Sequence, residues 1–111
     1  MNLYPDLIRN LPLADLPFEG VEGHMLRSVD GLLVFFHFHR DVEVPLHSHG
    51  AQWGIVVKGE FEFTIGDTTK LMRPGDSYAI ARGQQHGGLV KAGVRLIDFF
   101  EEPGRYRPKK P

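Results

Sequence analysis

"HSHGAQWGIVVKG", residues 47–59, places two histidines, a glutamine and a tryptophan within seven residues, then runs through apolar positions to a glycine. In extended backbone, residues two apart project from the same side, so the imidazoles of His47 and His49 can reach one ion. Spacing alone does not decide this. "FFHFHRD", residues 35–41, repeats the pattern with His37 and His39, where alternating Phe and His also describes a half-buried strand.

Outward from this stretch, short β-like runs are separated by turn signals such as "VDG", "IGD", "RPGD" and "KAG". The pattern predicts strands near 25–28, 32–39, 42–49, 52–57, 60–65, 69–72, 77–81, 86–91 and 94–101, with helical periodicity confined to the first ten residues. "EFEFTI" is the clearest of them, with Phe61, Phe63 and Ile65 on one face and Glu60, Glu62 and Thr64 on the other. Eight or nine such strands in about a hundred residues predict an all-β sandwich, jelly roll or small barrel. One conflict of phase stands out. Val42, Val44 and Leu46 alternate out of step with His47 and His49, which requires either a bulge near Pro45 or a second buried face.

Three segments follow from the pattern: an arm over 1–24, a barrel over 25–102 and a tail over 103–111. The arm carries three prolines among many apolar residues and is expected to pack along the barrel or against a second subunit. The tail ends in "RYRPKKP" and is expected to be solvated. The 111 residues make one domain with one core. With 41% hydrophobic residues and a net charge of −1, neither a nucleic-acid partner nor a disordered chain is suggested. No apolar run is long enough to span a bilayer and no signal-like segment opens the chain, so no membrane partner is expected and a cytoplasmic location is. Cysteine is absent, which leaves His, Asp, Glu and Gln as the side chains able to hold a metal.

The surroundings distinguish His47 and His49 from the second pair. "P-L-H-S-H-x-x-Q-x6-G" is followed, fifteen residues on, by "G-x5-A-x-G-x-x-H" from Gly75 to His86. Together these resemble the two motifs of the cupin family, over roughly residues 30–100. The resemblance implies a jelly-roll barrel and one divalent transition metal, with His47, His49 and His86 as ligands and Gln52 in the place usually held by Glu. This chain departs from the pattern at Val42, Ala81 and Val90, and only two residues separate His49 from Gln52. Three imidazoles and an amide suit Zn, Ni, Cu, Mn or Fe and leave the ion's charge uncompensated, which favours anionic ligands. The alternatives are Gln52 outside the ligand set, or a metal-free barrel.

In "VRLIDFFEEPGRY", Val94, Leu96, Asp98 and Phe100 share a face, so an inward Val and Leu bring Asp98 inward too. A carboxylate there needs a partner such as Arg82 or Arg105, a proton, or a catalytic role. "D-x-F" followed by Pro103 and Arg105 resembles the C-terminal signature of small cupins that linearise 4,5-unsaturated uronates, with Arg105 shifted. That resemblance implies Asp98 and Arg105 as catalytic residues. Trp53, Tyr78 and Phe100 are candidate substrate contacts, and Phe36 and Phe38 could complete an aromatic wall. Three classes therefore stay open: a metal-dependent isomerase or lyase on a small sugar or keto acid, a metal-dependent dioxygenase, and a non-catalytic small-molecule-binding module. A homodimer is expected in each case.

Overall fold

The computed structural model describes residues 3–110; Met1 and Asn2 of the arm and Pro111 of the tail lie outside them. The nine described strands are β1 (Val21–Ser28), β2 (Gly31–Phe38), β3 (Val42–His47), β4 (Gln52–Lys58), β5 (Phe61–Ile65), β6 (Thr68–Met72), β7 (Ser77–Ile80), β8 (His86–Val90) and β9 (Arg95–Phe100). They form two antiparallel sheets, ordered β1-β2-β9-β4-β7 and β3-β8-β5-β6. Sequence-adjacent β2 and β3, and β3 and β4, belong to different sheets, as in a jelly roll. Turn glycines fit the connections: Gly59 and Gly75 have φ of 83° and 91°, values that other residues rarely adopt.

Apolar residues on the inward faces fill the space between the sheets. Leu32, Val34, Phe36 and Phe38 of β2 are buried in alternation, as are Leu96 and Phe100 of β9. The phase conflict in β3 is resolved by a bulge. Val44 pairs with Gly88 and His47 with His86, so three steps on β3 oppose two on β8, and Pro45 and Leu46 take up the extra residue. Leu46 is consequently exposed while His47 turns inward, and no second buried face is needed.

Two boundaries differ from those the sequence suggested. The first strand starts at Val21, inside the segment read as arm. The rest of the arm forms one short helix, α1 (Asp6–Arg9), and then pairs with the free edge of β1. Ala14 N–H donates to the Gly23 carbonyl at 2.7 Å and Met25 N–H to Pro12 at 2.8 Å. The tail is not free. Asp15 N–H donates to Arg107 at 2.8 Å, Lys109 N–H donates to Leu13 at 2.7 Å, and Pro108 opposes Ala14. Pro108 lacks an N–H, but Arg107 and Lys109 supply the bonds on either side of it, so a basic, proline-rich segment still caps a sheet edge. Among the described residues, no helix is long and apolar enough to cross a membrane.

Candidate functional site

Between the sheets lies a cavity of about 80 Å³, room for several water molecules. Its polar walls are His47, His49, Gln52, His86, Asp98 and Tyr78, set among Phe36, Phe38, Phe61, Phe63, Phe100 and Tyr106. Strand register explains the convergence. His47 opposes His86 across β3 and β8, while Gln52 opposes Phe100 and Gly54 opposes Asp98 across β4 and β9. The loop bearing His49 is pinned from the end of β9: Glu102 accepts from Gly50 N–H at 2.9 Å and Glu101 from Ala51 N–H at 2.7 Å. Arg82 in turn grips Glu101 through two bonds of 2.8 Å.

The three imidazoles are oriented by the backbone. The Nδ1 of His47 meets the Pro45 carbonyl at 2.9 Å, that of His49 the Gly50 carbonyl at 2.8 Å, and that of His86 the Gln84 carbonyl at 3.0 Å. A carbonyl only accepts, so each Nδ1 carries the proton and each Nε2 presents a lone pair. The Nε2 atoms of His49 and His86 stand 3.1 Å apart, and the three residues offer ring nitrogens within 4.8 Å of one another. Lone pairs so close repel unless a cation or proton lies between them. Burial pushes the His49 imidazole's pKa down and that of His86, 3% exposed, down to about 4, which disfavours a proton there. The donor set therefore fits a metal ion.

Gln52 and Asp98 add a second feature. Gln52 Nε2 donates to Asp98 Oδ1 at 2.8 Å, while Gln52 Oε1 is buried without a protein partner. A buried orphaned carbonyl oxygen on the wall that bears three free Nε2 atoms fits a fourth ligand. Asp98 is 2% exposed and also accepts from Tyr78 Oη at 2.5 Å. Burial raises its carboxyl to about 6, with the Tyr78 and Gln52 bonds pulling the other way. Neither arginine considered as its partner is used: Arg82 pairs with Glu101, and Arg105 stacks 4.6 Å over the Tyr106 ring. Gly54 makes room for this arrangement, since a Cβ there would lie 2.1 Å from Asp98 Oδ1 and 2.4 Å from Tyr78.

Of the candidate substrate contacts, Tyr78 and Phe100 line the cavity and Trp53 does not. Gln52, Gly54 and Val56 are the inward positions of β4, so Trp53 is directed outward and is 46% exposed. Arg105 stands behind Phe100 and Tyr106, its Nε buried without a protein partner. Its charge bears on His49 and His86. Leu16, Phe18 and Tyr106 also wall the cavity. Only their apolar character hinted at this, because no motif marks them in the arm and tail.

A cupin domain model matches residues 34–99, more than half of the chain. The chain belongs to the cupin family. Within it, this cupin is 30% identical over 76 residues, 66% of its length, to the pectin degradation protein KdgF of Dickeya dadantii (strain 3937), covering 69% of that protein. Among solved structures, an RmlC-like cupin from Shewanella frigidimarina NCIMB 400 superposes with a TM-score of 0.75 at 28% identity, over 86% of this chain and 87% of that one. KdgF from Halomonas sp. superposes with a TM-score of 0.68 at 21% identity, over 80% and 86%. That last likeness speaks for the fold.

Proposed function

We propose that this cupin is a metal-dependent isomerase that opens a small 4,5-unsaturated uronate ring by moving one proton. The observation that carries the reading is the Gln52 amide, which holds Asp98 with its nitrogen and leaves its oxygen free on the wall of the three imidazoles. His47, His49, His86 and Gln52 would hold one divalent transition-metal ion. When bound, such an ion binds substrate oxygens and stabilises negative charge that develops on them. Asp98 takes the proton of the anomeric hydroxyl, the C1–O5 bond breaks to leave an aldehyde and an enolate, and the same proton is delivered to C4. Atoms balance without oxygen or a redox partner. A carboxyl near pH 6 suits both halves of this transfer. Tyr78 donates to Asp98 and fixes its orientation. Phe100 packs against the His49 ring at 5.6 Å and excludes water from the reacting face. Arg105, with an unpaired buried Nε, supplies positive charge for the substrate carboxylate. The pectin-degradation relative supports the substrate class, since pectin is built from galacturonate.

The test is anaerobic incubation of metal-loaded protein with 4,5-unsaturated galacturonate, following loss of the conjugated chromophore against a protein-free control. Accelerated loss is expected. Oxygen consumption with another substrate and no anaerobic turnover would replace this reading with the dioxygenase. Saturable binding without turnover in either condition would leave a binding module. The functional unit is proposed to be a homodimer acting on a small molecule.

A further inference from the structure

The outer face of the β1–β2 hairpin carries a second group of imidazoles, which the cavity does not use. Glu22 opposes His37 in the strand register, and His39 follows His37 by two residues and so stands on the same side. Phe36 and Phe38 point the other way, into the cavity. The His37 and His39 rings lie 3.8 Å apart between centroids, and His39 Nε2 meets the Glu22 carboxylate. One donor atom from each of the three residues lies within 4.8 Å of the others.

An ion pair between His39 and Glu22 would account for two of these residues and leave the stacked His37 unexplained. We propose that Glu22, His37 and His39 bind a second divalent transition-metal ion on the outside of the barrel. Two imidazoles and one carboxylate make a borderline donor set that selects zinc, nickel or copper over magnesium or calcium. The carboxylate supplies the negative charge that the cavity's ligand set lacks. Arg9 and His24 line the same depression. The three nearby cations, Arg9, Arg95 and Lys58, oppose the ion and set its affinity below that of a fully anionic site. Because the ligands come from two paired strands, the ion would clip β1 to β2.

The test is calorimetric titration of chelator-treated protein with Zn(II). Wild type is expected to bind two ions per chain, and His37→Ala/His39→Ala one. In a His47→Ala/His49→Ala background the outer site alone remains: Zn(II) should then raise the melting temperature, and Glu22→Gln should weaken binding by about tenfold or more, since loss of even an outer-shell partner costs this much. An ion count that is the same in wild type and in His37→Ala/His39→Ala would overturn the proposal. If the background variant fails to fold, the difference in stoichiometry between wild type and His37→Ala/His39→Ala decides alone.

Discussion

At the scale of single residues, the pairing of Gln52 with Asp98 explains why an amide stands where relatives of this motif usually carry a carboxylate. A Glu at 52 has no N–H to give Asp98 and would set two carboxylates together in a buried wall, so one must hold a proton. Gln52→Glu is therefore expected to keep the metal, weaken anionic ligands, and move the acidic limb of the pH–rate profile upward, because Asp98 must lose its proton before it can act as the base. An unchanged profile and unchanged anion affinity would count against this role. Asp98 itself gives a prediction about stability. Well below pH 3.8 its carboxyl is protonated whether the chain is folded or not. As pH rises, the unfolded chain ionises near 3.8 and the folded one only near 6, so stability is lost across that window. In the chelator-treated protein Asp98→Asn should thus differ little from wild type at pH 4 and be more stable at pH 8, by on the order of 3 kcal/mol. Urea titration at the two values checks it, and the same variant should lose turnover. His47, His49 and the inward set of β9 were legible from spacing and alternation, whereas His86 was legible only through the resemblance of its motif to the second motif of cupins. Trp53 was misplaced by the sequence reading although the same alternation forbids it: adjacent residues on a strand face opposite ways, and Gln52 faces in.

Among the elements, β3 and β4 show where a sequence pattern carries its own correction. The clash of phase between Val44 and His47 required either a bulge near Pro45 or a second buried face, and β3 contains the bulge. Gly54 gave no such notice, because its importance lies in what approaches it from β7 and β9. Gly54→Ala is expected to cost roughly 1–3 kcal/mol, the usual range for overpacking, and to disturb activity by displacing Asp98 and Tyr78. Thermal melts together with turnover of the variant test this, and native stability with full activity would contradict it. The tail was the least legible element. Its charge and prolines match a solvated segment, and its pairing with Leu13–Asp15 depends on an arm more than ninety residues away in sequence, a non-local contact that composition does not encode.

For the whole molecule, the outer face of the five-stranded sheet carries an apolar row that crosses four strands. Leu26 pairs with Leu33, Leu33 with Phe99, and Phe99 with Trp53. Leu26 is 55% exposed and Phe99 40%. Tyr4, Leu16 and Phe18 of the arm are used elsewhere, Tyr4 against Phe35 and the Phe36 carbonyl and Leu16 and Phe18 on the cavity wall. The row is thus the surface left for the proposed second copy. Light scattering at micromolar concentration should give a dimer for wild type and a monomer for Phe99→Lys with unchanged far-ultraviolet circular dichroism; a monomeric wild type would refute the dimer. The central claim, an ion held by three imidazoles beside Gln52, is tested most directly by metal stoichiometry in a protein whose outer histidines are removed. Chelator-treated His37→Ala/His39→Ala, titrated with Zn(II), should bind one ion per chain, and adding His86→Ala should abolish that binding. One ion retained after loss of His86, or none bound before it, would contradict the account.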